Sequence, residues 1–158
     1  MSASVSVTEH ENETARVHCP ILPGMASRYP PVVLWICALV FLGTAIVFTV
    51  MPQDMFAPLG LTVPDGAPLT ELRAVYGGLE LAIAVFLLFC ARRGGVALEL
   101  GLLLSFLSFS GLAAYRGIGM GIDGPQVPLM SALLVSEAAG AMFALSGLLV
   151  RARGSSNG

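Results

Sequence analysis

Apolar and polar positions along this chain fall into long blocks instead of alternating. Four blocks are almost wholly apolar, at about residues 32–51, 72–91, 96–116 and 127–150. Each is close to the ~20 residues a helix needs to cross ~30 Å of hydrocarbon. In that layer every backbone N–H and C=O must find a partner within the protein, so runs of this length are predicted to be helices. Pro52 ends the first block, Arg92–Arg93 the second, a Gly-rich stretch after Arg116 the third and Arg151 the fourth. The pattern predicts an all-α fold: a polytopic membrane protein built as an antiparallel four-transmembrane-helix bundle over residues 32–151. Residues 1–31 and 152–158 are expected to be polar, disordered tails.

Composition sharpens the picture. Apolar residues make up 56% of the chain and charged residues only 11%. A soluble domain carries about a quarter charged residues, so this surface is too poor in charge to face water. The net charge of −2 excludes nucleic acid as an expected partner. The first thirty residues hold Glu9, Glu11 and Glu13 and no apolar core, unlike a secretory signal.

Every basic residue is Arg, and their placement predicts orientation. Arg28, Arg92–Arg93 and Arg151 with Arg153 flank the spans on one side. The connections 52–70 and 117–126 carry Asp54, Asp65 and Asp123 and no basic residue. Basic loops stay in the cytoplasm. Both termini are therefore expected on the cytoplasmic side of the cell inner membrane, with the two Pro/Gly-rich loops outside. Met55, Phe56, Leu59 and Leu61 of the first outer loop are expected to rest on the membrane surface. Thr70 is the expected N-cap of the second span. The short Arg92–Arg93–Gly94–Gly95 turn makes spans two and three antiparallel neighbours.

The informative residues are the charges inside the apolar blocks. Arg73, Glu80, Arg116 and Glu137 each belong to a predicted span. A charge at the bilayer centre costs about 2.5–3.5 kcal/mol, so such groups face the bundle interior and find partners. Side chains lean toward the N-terminus of their helix. Glu80 and Glu137 thus lean outward and Arg116 leans toward the membrane centre, which converges all three. The expected arrangement is an Arg116 fork bridging Glu80 and Glu137, with Tyr76 as a hydrogen-bonding companion. Arg73 is expected to snorkel or to meet Asp123. Arg73, Tyr76, Gly77 and Glu80 share one face by their three- and four-residue spacing. The candidate cluster, structural or ligand-binding, is Arg73, Tyr76, Glu80, Arg116, Asp123 and Glu137.

Other chemistry is sparse. His10 and His18 both lie in the N-terminal tail, so no metal site and no haem is expected. Cys19, Cys37 and Cys90 form no C-x-x-C pair, and the latter two read as small buried apolar residues. Gly117, Gly119, Gly121 and Gly124 mimic a nucleotide loop, but no strand precedes them. Ser105 and Ser108 lie on the Arg116 side of the third span, lining a cavity or bonding to their own helix. Glu99 is expected to reach the interface beside Arg92–Arg93, and Trp35 reads as an interfacial aromatic.

The string Glu71-Leu72-Arg73-Ala74-Val75-Tyr76-Gly77-Gly78-Leu79-Glu80 resembles the opening of the second span in the domain of unknown function 4345 family of small bacterial membrane proteins. Arg116 and the pair Asp123-Gly124 match an Arg and an Asp-Gly typical of that family, and the resemblance covers about Val32 to Arg153. It implies a four-span fold similar to the DoxX-like group, some of which serve quinone-linked electron transfer. The family carries no assigned activity.

Three readings follow. The first is a non-enzymatic structural or accessory membrane module whose charges fix packing. The second is a small-ligand or proton-coupled binding or transport protein with an outward-facing polar pocket, expected as a homo-oligomer. The third, by analogy alone, is a quinone-linked redox accessory beside a membrane partner. The absence of a catalytic set of residues favours the first, which is not an enzyme and needs no cofactor.

Overall fold

A computed structural model describes residues 23–124 and 127–155, with side chains placed from residue 28 to residue 154. Of the two tails expected to be disordered, residues 23–31 and 152–155 are helical, and the remainder lies outside the described residues. Every regular element among the described residues is helical. Helix α1 is Pro23–Val50, followed by the short α2, Pro52–Phe56, and a 3₁₀ turn at Ala57–Leu59. Helix α3 spans Ala67–Arg93. Helices α4, Gly95–Asp123, and α5, Pro128–Ser155, complete the chain. Helices α1, α3, α4 and α5 are each long and apolar enough to cross a membrane.

These helices are apolar on every side, and the packing shows why. One stripe of α1, Val33, Leu34, Cys37, Ala38 and Phe41, faces the core with Ala84, Leu87 and Cys90 of α3. Leu98, Leu102 and Phe109 of α4 and Ala141 and Ala144 of α5 complete it. The opposite faces are just as apolar: Ile36, Leu39 and Val40 of α1, Val85 and Phe89 of α3, Leu103 and Leu107 of α4 and Met142 of α5 are exposed. Apolar surface this continuous is unsustainable in water. The protein is therefore a multi-pass membrane protein, a bundle of four helices with its outer faces set for lipid.

The most extensive interfaces join α4 to α5 and α1 to α3, and α1 also packs on α5. Helices α3 and α4 are antiparallel neighbours across a one-residue break. Gly94, at φ 67° and ψ −162°, lets the chain reverse where a side chain would be strained. Close to this turn the two helices touch through Cys90 and Gly101. A Cβ built on Gly101 would lie 2.8 Å from Cys90 Cβ and 2.7 Å from a Leu34 methyl.

The bundle has two chemically distinct ends. At the basic end, Arg92 lies over the Trp35 ring at 5.4 Å and Arg93 over Phe89 at 5.3 Å. Glu99 reaches this level as expected and accepts a 3.1 Å bond from Arg151 Nε. Tyr29 and Ser146 share a hydrogen bond of 2.7 Å there, tying α1 to α5. The opposite, loop end carries α2 and both longer connections.

Four boundaries differ from expectation; at one of them the last helix runs past Arg151 to Ser155. Helix α1 begins before residue 32 and runs through Pro30 and Pro31, each forfeiting only one backbone bond in an otherwise continuous helix. The second span is capped by Gly66, not Thr70. Pro68 sits in the first turn, where its fixed φ is already helical, and Thr70 Oγ1 bonds back to Gly66 O at 3.1 Å. Helix α4 does not end after Arg116 but continues to Asp123. Each helical Gly costs only ~1 kcal/mol. Stopping two turns earlier would leave carbonyls unmet in an apolar layer. Gly124, at φ 80°, ends the helix instead.

Candidate functional site

The string that opens the second span does not fold as ordinary helix. Residues Arg73–Leu79 form a π-helix between α-helical segments. Wide turns of this kind are rare and are frequent at functional sites. Here the Gly77–Gly78 pair leaves the half after Tyr76 without side chains until Leu79. Gly77 lies against α1, where an added Cβ would sit 2.6 Å from Thr49 Oγ1.

The π segment turns its polar face toward α1. Arg73 Nε donates to the Thr49 carbonyl at 3.3 Å, close to the C-terminus of α1. A cation is favourable there because the last carbonyls lack partners and carry the negative end of the helix dipole. Arg73 therefore caps α1, and it forms no ion pair with Asp123. Tyr76 stacks on Phe48 at 4.9 Å between ring centres and meets Phe56 edge-on at 5.8 Å. This trio clamps α1, α2 and α3 at the loop end. Phe56 is thus partly withdrawn from the surface on which it was expected to rest, while Met55 and Leu61 are exposed.

Glu80 stands at the midpoint of α3, half-buried, with Thr44 of α1 as its hydrogen-bonding neighbour. Thr44 Oγ1 also bonds its own helix at Val40 O, at 3.0 Å.

Arg116 finds one carboxylate, not two. Its Nε donates to Glu137 Oε2 at 2.9 Å and its Nη2 to Glu137 Oε1 at 2.5 Å. The two planar groups meet fork to fork, the strongest geometry available to this pair. Nη1 donates to Met130 Sδ at 3.2 Å. Met130, Leu134 and Glu137 follow one face of α5, so the sulfur and the carboxylate approach Arg116 together. The Glu137 side chain is 10% exposed and that of Arg116 is 23%, so the carboxylate is buried and the guanidinium partly so. The Tyr76 phenol lies within electrostatic range of Arg116.

The expected bridge from Arg116 to Glu80 is therefore not formed. Its physical cause is the order of the helices. The π segment makes its main contacts outside its own helix with α1, while α4 is packed most closely on α5. Glu80 and Arg116 consequently lie in different seams. Asp123 ends α4 in an exposed position, its carboxylate folded back beside Gly119. Thr44, Thr49, Phe48 and Met130 escape a sequence reading because such residues are ordinary in any apolar helix; the one signal is the i, i+7 spacing of Met130 and Glu137.

Ser105 is fully buried and bonds to Gly101 O at 2.9 Å, so it belongs to the packed core and lines no cavity. Cys37 and Cys90 are free and buried. Among the described residues no three His, Cys, Asp or Glu side chains come together as a metal site would require. The grooves on the surface of the described residues include two of note. One of about 330 Å³ is lined by Gly111, Leu112, Tyr115 and Arg116 of α4. A wholly apolar one of about 610 Å³ lies along α3 between Gly78 and Phe89.

Comparison with curated proteins and with solved structures returns no match. One family model matches, over residues 31–148, and it is described as a domain of unknown function, DUF4345. That stretch includes α3 and α4 whole, most of α1 and α5, the π segment and the Arg116–Glu137 pair, and the chain belongs to this family.

Proposed function

We propose that the domain is a non-enzymatic accessory module of the cell's inner membrane, whose in-membrane charges brace its own helices. The observation that carries this reading is the fork-to-fork pair of Arg116 and Glu137, which neutralises both groups between α4 and α5. Arg73 serves the same end by capping α1. A bundle stiffened in this way offers its apolar outer faces to lipid and to a membrane partner.

Arginine-specific modification tests the reading. Added to the protein in bilayers, p-hydroxyphenylglyoxal is expected to modify the exposed Arg92 and Arg93 and to leave Arg116 intact, as read by peptide mass mapping. Ready modification of Arg116 would mean that water reaches the pair, and the bracing role would fail.

The proposal places the basic end in the cytoplasm, with both termini, following the Arg bias of the loops. Reporter fusions check it. Alkaline phosphatase joined after Gly60 is expected to be active and after Gly94 inactive. The reverse pattern would invert the topology.

One observation favours a second reading, a proton- or ligand-linked binding protein. Glu80, at mid-helix, has a threonine neighbour and, among the described residues, no arginine within ion-pair distance. A half-buried carboxyl within a spanning helix, without a counter-charge beside it, is the kind of group such sites employ. That reading requires Glu80→Gln to abolish ligand- or proton-dependent behaviour while the fold survives.

A further inference from the structure

The groove on α4 beside the Arg116–Glu137 pair has the chemistry of a ligand site. Arg116 has five N–H bonds. Nε–H and one on Nη2 go to Glu137 and one on Nη1 goes to Met130, which leaves one on each Nη. Arg116 lines the groove together with Gly111, Leu112 and Tyr115. It lies two turns from the end of α4, within an apolar layer, where an unsatisfied donor is costly.

We propose that this groove holds one glycerolipid, with an ester carbonyl on the free Nη–H bonds of Arg116 and an acyl chain running along Gly111. Three observations select this occupant. Glu137 already neutralises the guanidinium, so a neutral acceptor fits and an anion would meet the carboxylate's repulsion. Polarity follows depth: Tyr115 and Arg116 stand nearer the helix end, Gly111 and Leu112 deeper, the order in which a lipid presents its ester and its chain. Gly111 leaves space that nothing else fills, since a Cβ built there meets no atom within 4 Å. The site adds a ligand to the brace and does not depend on bracing being the domain's purpose.

Two zwitterionic lipids of identical head group and chain length test the proposal, a diacyl phosphatidylcholine and its diether analogue, which lacks the carbonyls. Each is titrated into the detergent-solubilised full chain and read by native mass spectrometry. The diester is expected to bind as a single retained adduct, at least about tenfold tighter than the diether, as one hydrogen bond to a charged donor provides. Gly111→Leu is expected to melt like the wild type and to lose the adduct. Gly43→Leu, on the exposed face of α1 where a Cβ also meets nothing, is expected to keep it. Equal binding of diester and diether overturns the proposal on the wild-type protein alone. So does an adduct that survives in Gly111→Leu, or one lost equally in Gly43→Leu, which would mark non-specific lipid. Displacement by inorganic phosphate would show an anion site in its place.

Discussion

Glu137→Leu is expected to cost about 3–5 kcal/mol of stability, the range for stranding one member of a buried ion pair. The loss arises because Arg116 would keep its charge in an apolar layer while both of its carboxylate bonds vanish. Arg116→Met should be similarly damaging, since it strands Glu137, the more deeply buried of the two. The double replacement tells more than either single one. A pair of apolar side chains of similar volume needs no partner, so Arg116→Met with Glu137→Leu should recover most of the loss. Reversible unfolding in mixed micelles, followed by circular dichroism, measures all three variants. Strict additivity would show that the two groups do not rely on each other, and the brace would be discarded.

The second large effect is steric. Gly101→Val should destabilise the bundle by more than the ~1–3 kcal/mol usual for an overpacked core. Even the first added carbon would land 2.7 Å from Leu34 Cδ2 and 2.8 Å from Cys90 Cβ. Leu34 and Cys90 are themselves fully enclosed, so neither has room to retreat. Three helices meet at that point, and α1, α3 or α4 would have to move. Gly43→Ala is the control: a Cβ there meets nothing within 4 Å, and the exchange should be neutral or mildly stabilising through helix propensity. Thermal melts in detergent separate the two. Indistinguishable melting of Gly101→Val and wild type would show that the helices do not approach as closely as described.

The spans were legible because a hydrocarbon layer tolerates so few alternatives: unbroken apolar runs must be helices, and Arg92–Arg93 can only mark an end. The meeting of Arg116 with Glu137 was also open to a sequence reading, since Glu137 lies well inside its apolar run and Arg116, at the end of its own, leans toward the same depth. What stayed hidden was the order of the helices around the bundle. In a soluble protein the apolar stripe of each helix announces its buried face. Here Ile36 and Leu39, which face outward, are as apolar as Leu34 and Val33, which face the core. Nothing in such a pattern could say that Glu80 turns toward Thr44 instead of Arg116. The helical run from Gly117 to Asp123 was obscured for a related reason, because glycine signals a loop in water and much less in lipid.

The wide turn at Arg73–Leu79 has a consequence for how the chain tolerates changes in length. Dropping one residue elsewhere in a spanning helix tears a gap in its bonding ladder or rolls half of it out of register. At this point the slack is already present, and a one-residue deletion could be absorbed as ordinary helix. The two flanking parts would keep nearly the same angular register, and the change would be confined to the contacts of the wide turn itself, such as that of Gly77 with Thr49. The wide turn works as a reserve of length, taken up or given back at one point while the rest of the helix keeps its facing toward α1.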